Sequence, residues 1–245
     1  MVRFLRSVLF DAAFYLTSFI IMFIFLPLMI LPQRVIFWAG RIWASVTMDL
    51  LQMIVGLSYR VEGIENLPAG GCIVACKHES AWETLIFHIL LNRPGYALKR
   101  ELMWIPLINL YFWRMGMVVI DRGAGTKALK SLIQGARRVI KQGRPLVIYP
   151  EGTRGAPGKP GNYQAGVGVL YKDLNVSVVP VALNSGSFWG RRSPIKLPGQ
   201  IVIQFLPPIQ PGLPRAEFMD TLEKCIEKNS QKLYVLANST GGKNG

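Results

Sequence analysis

Residues 12–31 read AAFYLTSFIIMFIFLPLMIL, twenty apolar or neutral residues without one charge. As a helix, a run of that length matches the hydrocarbon thickness of a bilayer. Arg3 and Arg6 stand before it and Arg34 after it. Pro27 lies inside and is expected to kink the helix. A cleaved leader has a shorter apolar region and a small-residue cleavage site, and neither is clear here. A second apolar stretch, 35–57, carries Arg41, Asp49 and Gln52 beside Trp38 and Trp43. Its polar content fits an interfacial or re-entrant helix as well as a spanning one. Residues 1–58 therefore read as a membrane-associated two-helix hairpin. Basic residues at both ends of the first run leave its orientation open. If both arms cross, or both enter and return, the rest of the chain lies on the side of the N-terminus.

The overall balance agrees with a membrane surface as partner. Hydrophobic residues make up 51% of the chain, yet the net charge is +14. Lys and Arg near a bilayer gain about 1 kcal/mol each from its anionic headgroups. No basic run, zinc spacing or RNA-binding aromatic signature accompanies the high pI, so no nucleic-acid partner is expected. Three cysteines, Cys72, Cys76 and Cys225, make an odd count without a framework, which fits a reducing compartment. Cys72 and Cys76 fall on one face of an expected strand, as buried thiols. Two histidines leave few ligands for a zinc site.

From residue 59 short β-rich runs alternate with helical patterns. Strands are expected over 59–63 (an edge), 72–76, 96–98, 117–120, 146–149, 177–183 and 200–205. Helices are expected over 82–91, 125–142, 164–173 and 215–235. Alternation of this kind predicts an α/β fold, a mixed and largely parallel sheet flanked by helices. It sets one domain over 59–236, followed by a polar, disordered tail over 237–245. Pro180, inside the run 179–182, predicts an edge strand or a bulge.

The most specific stretch is KHESAWET at 77–84. His78 lies at a strand-to-helix junction, where side chains face clefts. Glu83, five positions on, reaches the imidazole if the junction bends. A carboxylate-held histidine is a general base, with an ordinary pKa of about 6.5. The bland alternative is a helix cap or a satisfied core histidine. YPEGTR at 149–154 follows another strand. There Gly152 permits close backbone approach, Thr153 offers a hydroxyl, and Arg154 a planar fork for phosphate. Gly155, Gly158 and Gly161 are expected to keep the next loop open and mobile. The alternative is a surface turn with a solvated arginine. Arg122, after the run 118–120, and Lys99, in a further basic corner, are candidate phosphate contacts; a strand-end ion pair is the alternative for the first. His78, Arg122 and Glu151 all fall just past strand ends, where α/β sheets bind ligands. The loop 184–192 mixes Trp189 with Arg191 and Arg192, as a membrane-facing loop or an ordinary solvated one.

These blocks resemble the glycerolipid acyltransferases of bacterial type, in particular the 1-acyl-glycerol-3-phosphate acyltransferases. His78 to Glu83 matches the family's His-x4-Asp block, with glutamate for aspartate. Ile120-Asp121-Arg122, Pro150 to Arg154 and Val179-Pro180-Val181 match the next three, in order. The resemblance covers about 59–208, and a two-helix N-terminal element recurs in bacterial members. It implies direct acyl transfer from acyl-CoA or acyl carrier protein to the sn-2 hydroxyl of lysophosphatidic acid, without a cofactor. His78 is then the base and Glu83 its support, while Arg122 and Arg154 take the acceptor phosphate, Gly152 and Thr153 shape the loop, and Glu151 orients the cluster. Lys99 or a backbone N–H beside His78 is left as oxyanion donor. It also implies the bacterial inner membrane, with the catalytic domain on the cytoplasmic face. Three alternatives stand beside it: another lyso-acceptor, such as glycerol-3-phosphate or a lyso-aminolipid; a non-catalytic lipid binder; and a serine hydrolase using Ser80. The last lacks a Gly-x-Ser-x-Gly elbow.

Overall fold

The computed structural model describes residues 1–241. Its first helix, α1, runs Val2–Phe25 and starts well before the apolar stretch. It stops two residues short of Pro27, and a 3-10 turn, Leu26–Ile30, carries the proline. The expected kink is thus a helix end, because proline supplies no N–H to continue the α-ladder. Helix α2, Gln33–Leu50, returns and tightens into a π-helical turn, Leu51–Val55. Gly56, at φ 79°, ends it in the left-handed conformation glycine favours. The indole N–H of Trp43 donates to Ser18 Oγ across the two arms.

The arms differ in what they cover. The segment Val2–Ile30 is long and apolar enough to cross a membrane, and none of its apolar window is buried. Phe19, Phe23 and Ile24 face outward. In α2 the residues Ile36, Phe37, Ala39, Ala44, Thr47 and Met48 are buried. Ile36, Phe37 and Met48 belong to the principal hydrophobic core of the whole chain. The second arm is therefore as much a layer of the α/β body as half of a hairpin.

Beyond Gly56 the chain follows β1 (Leu57–Glu62), β2 (Ile73–Cys76), α3 (Trp82–Leu90), β3 (Gly95–Lys99), α4 (Ile108–Met115), β4 (Val118–Ile120), α5 (Thr126–Lys141), β5 (Leu146–Ile148), α6 (Ala165–Leu174), β6 (Val178–Leu183), β7 (Gly199–Phe205) and α7 (Arg215–Gly241). The sheet order is β1-β7-β6-β2-β5-β3-β4. Every pairing is parallel except β6 with β7. This is the expected largely parallel α/β sheet, with β1 at one edge. Alternation sorts the strands between two cores. Cys72, Val74 and Cys76 face α2 and α3, while Ile73 and Ala75 face α5, α6 and α7.

Three expectations change. Strand β6 lies inside the sheet, not at an edge, and Pro180 pairs in register with Ala75 of β2. Its carbonyl accepts from Leu206 N, just past the end of β7. Proline has no N–H, so β6 lacks one backbone donor at this position. Helix α7 runs on through Gly241, into the segment expected to be a disordered tail; 242–245 lie outside the described residues. Helix α4 was not anticipated. It braces the end of the hairpin: Tyr111 Oη donates to Met22 O at 2.6 Å, Arg114 Nε donates to Met29 O at 2.7 Å, and Arg114 Nη2 donates to Leu31 O.

Candidate active site

The turn from β2 into α3 folds around one carboxylate. Ser80 Oγ accepts from Trp82 N, which starts the helix. Glu83 sits in the first turn, where unpaired N–H groups favour a negative charge. It reaches back so that Oε1 accepts from Glu79 N at 2.7 Å and Ser80 N at 2.6 Å. The same oxygen lies 2.9 Å from His78 Nδ1. Oε2 accepts from Ser185 Oγ, on the turn after β6, at 2.8 Å. An oxygen already taking two N–H donors faces the protonated ring nitrogen, so Nδ1 donates and Nε2 keeps its lone pair. Glu83 is fully buried, while the imidazole is 13% exposed. The ring lies flat on Tyr149, with centroids 3.9 Å apart. One carboxylate thus spans both His78 and Ser185.

The backbone of His78 is held as firmly as its ring. Its N–H donates to Glu151 Oε2 at 3.0 Å, and its carbonyl accepts from Gly155 N at 2.7 Å. Glu151 Oε1 takes Lys77 Nζ at 2.6 Å, and Lys77, 1% exposed, also donates to Glu227 of α7 and to Lys159 O. Burial pushes the Lys77 ammonium down, but Glu151 and Glu227 outweigh it and the net shift is upward. Glu79 accepts from Gly186 N, and burial first, opposed by that bond and reinforced by Glu83, raises its pKa to about 8. It is mainly protonated at neutral pH and does not compete as a base.

Glu151 therefore has a different place from the one expected. Both its oxygens are engaged by Lys77 and the His78 backbone, so it braces the His78 turn and not an arginine cluster. The glycines after it are also less free than expected. A Cβ on Gly161 would come within 2.0 Å of Glu151 Oε1, and one on Gly158 within 2.6 Å of the Tyr234 ring. Their absence of side chains serves close packing. The loop 184–192 is neither fully solvated nor wholly outward: Trp189 packs edge-on against Phe10 of α1. Ser80, fully buried and committed to the helix start, is not placed as a nucleophile.

The remaining candidates share one rim. Lys99 ends β3, and His78, Arg122 and the 149–154 segment follow β2, β4 and β5, parallel strands that are neighbours in the order β2-β5-β3-β4. Arg154 is half-buried; its Nε is buried without a partner among the described residues, and its carbonyl accepts from Arg191. Thr153 is exposed, Gly152 takes φ 68°, and Lys99 is exposed with no ion pair among the described residues. Arg122 opens the 3-10 turn after β4; its side chain lies outside what is described. Its neighbour Asp121 pairs with Arg100 at 2.7 Å, which holds that exposed carboxyl below its usual range. Lys77, Glu79, Ser185 and Glu227 were not foreseen. The first two flank His78 in sequence, but nothing local marks Ser185 or Glu227.

An α/β enzyme with a carboxylate-held imidazole at its strand ends, rooted on an apolar helix, is the class that fold and site define. The chain belongs to the Acyltransferase family, whose model matches residues 58–184. It is 31% identical over 206 residues to 1-acyl-sn-glycerol-3-phosphate acyltransferase of Pseudomonas aeruginosa, covering 82% of this chain and 79% of that one. It is 27% identical over 175 residues to the protein of that name from Cocos nucifera, covering 70% and 56%. The alpha form of Homo sapiens is 26% identical over 162 residues, covering 65% and 57%. The chain thus spans little more than half the length of these plant and human relatives. The crystal structure of the 1-acyl-sn-glycerophosphate (LPA) acyltransferase from Thermotoga maritima superposes with a TM-score of 0.80, covering 94% and 97%, at 20% identity; that likeness speaks for the fold.

Proposed function

We propose that this chain transfers an acyl group from a thioester carrier to the sn-2 hydroxyl of 1-acyl-sn-glycerol-3-phosphate, forming phosphatidic acid. The observation that carries the reading is His78 Nδ1 at 2.9 Å from buried Glu83, leaving Nε2 free. Nε2 takes the hydroxyl proton as the oxygen attacks the thioester carbonyl. The imidazolium is stabilised by Glu83. The tetrahedral oxyanion collapses, the C–S bond breaks, and the proton passes to the departing thiolate. Lys99 or a backbone N–H near His78 supplies oxyanion stabilisation. The unpartnered Nε of Arg154, with Lys99 and Arg122 along the same rim, supports a phosphate-bearing acceptor. The donor is acyl-CoA or acyl carrier protein. Activation is already stored in the thioester, so the reading uses no cofactor.

The names of the relatives support this acceptor, and the apolar α1 supports lipid substrates drawn from the bilayer. Three free cysteines support a reducing side. The proposed location is the cytoplasmic face of a bacterial inner membrane.

The test is an acyl-transfer assay on the full chain in detergent. Lysophosphatidate, glycerol-3-phosphate and lyso-aminolipids are compared as acceptors with both donors. Lysophosphatidate is the expected preference. His78→Ala is expected to lower turnover by about 10²–10⁴-fold; near-parental turnover overturns the mechanism. Arg154→Ala is expected to raise KM for the acceptor more than for the thioester. An equal rise in both removes the phosphate assignment.

A further inference from the structure

A second cluster of arginines gathers where α2 passes the turn between α3 and β3. On α2, Arg34, Phe37, Trp38 and Arg41 recur at i, i+3, i+4 and i+7 and so share one face. The facing wall is His88, Leu91 and the Asn92-Arg93-Pro94 turn. Between them lies a cavity of about 460 Å³, with three guanidiniums and no acidic residue in its lining. None of the three forms an ion pair among the described residues. Among the described residues, their one side-chain hydrogen bond is a long 3.5 Å bond from Arg41 Nε to His88 O.

The turn is built and held. Arg93 has φ 53°, a left-handed conformation that a side-chain-bearing residue avoids. Arg144, 1% exposed, fixes it there: Nε donates to Arg93 O at 2.8 Å and Nη2 to Met115 O at 2.9 Å. That guanidinium lies 4.8 Å over the ring of Phe37, in the cavity wall. Burial first, then Arg93 and Arg138, lowers its pKa to about 10, which leaves it charged at neutral pH. His88, also in the lining, has a buried Nδ1 pressed toward Gly40 without a hydrogen-bond partner. Four cations held together with no local counter-charge make a strongly positive concavity.

We propose that this cavity binds the phosphate of an anionic membrane lipid. Guanidinium forks match phosphate oxygens in pairs. A lipid is favoured over a free anion because the cavity opens beside Trp38, 55% exposed and edge-on to Phe25 at the end of α1. An amphipathic indole next to an outward apolar helix marks headgroup depth. The site is separate from the acceptor rim. His78 follows β2 and Arg93 precedes β3, and both strands run parallel to β5, so the two lie at opposite ends of the sheet. A lipid seated there bridges the hairpin to the α/β body. The proposal does not depend on the acyl acceptor.

The experiment is thermal unfolding of the full chain in non-ionic detergent with phosphatidylglycerol, phosphatidylcholine or inorganic phosphate added at equal concentration. A ligand of the native state raises Tm, by roughly 5–10 °C at a hundredfold excess over Kd. Phosphatidylglycerol is expected to produce the rise, and the other two are not. Arg34→Gln/Arg93→Gln is expected to lose it, with Arg34→Gln/Arg41→Gln, both exposed, as a second route if the first variant does not fold. Lys228→Gln/Lys232→Gln removes equal charge from α7 and is expected to keep it. Three results overturn the proposal: no rise in the parent, an equal rise with inorganic phosphate, or an equal loss in the α7 variant. Acyl transfer without added phosphatidylglycerol is measured on the same samples and is expected to stay within about twofold of the parent, which keeps failure of this site apart from failure of the acyltransferase reading.

Discussion

Glu83 gathers four donors onto one carboxylate: two backbone N–H groups, the Ser185 hydroxyl and the His78 ring. A glutamine there must turn its amide nitrogen toward at least one of those donors. Glu83→Gln is expected to lower kcat by about 10²–10⁴-fold. Glu83→Asp, shorter by a methylene but still an acceptor throughout, is expected to retain more activity than glutamine. Steady-state kinetics beside a melting curve separates chemistry from folding; parental kcat in the glutamine variant sinks the idea. At this scale the His78–Glu83 pairing was legible, because the 77–84 stretch encodes both residues. Glu151 was expected to orient an arginine cluster and instead binds Lys77 and the His78 backbone. Its partner Lys77 is 74 positions away, and Glu227, which shares that lysine, lies 150 positions from Lys77; only the fold joins them.

Among the elements, α7 closes over the loop that carries His78. Lys77 is clasped by Glu151 and Glu227, and Tyr163 adds its hydroxyl to Glu227 at 3.0 Å. Lys77→Met leaves two carboxylates facing each other near the core, and breaking a buried pair in this way costs about 3–5 kcal/mol. Glu227→Gln is expected to cost less, since that side chain is 19% exposed and retains hydrogen-bonding capacity. Melting temperatures of the two variants check the order; a milder Lys77→Met contradicts the clasp. The seven strands were legible from β-rich runs between helical patterns. Helix α4 was not, because Leu110 and Trp113 face outward and the stretch has no clean polar side for a helical period to reveal.

For the molecule as a whole, α1 is rooted through one buried lysine. Lys196, 3% exposed, pairs with Asp11, its N–H donates to Ser7 Oγ at 2.9 Å, and its ammonium lies within 5.6 Å of the Phe10 and Trp189 rings. Asp11→Asn removes the counter-charge while leaving the outward apolar face of α1 intact. Faster limited proteolysis near the hairpin is expected, with membrane association unchanged. Parental cleavage rates count against the root. The apolar run announced a membrane element, but nothing in the sequence joined residue 196 to residue 11.

The edge strand β1 carries a consequence for biosynthesis. Leu57 pairs with Gly199 and Glu62 with Gln204, so β1 has its partner only in β7. On a ribosome adding 5–20 residues per second, that partner emerges about 140 residues, or roughly 7–28 s, later. The hairpin is complete long before. The apolar α1 is thus available to a bilayer before the sheet closes, while the side of α2 that packs on the main core stays uncovered. Aggregation through that face is the hazard of the interval.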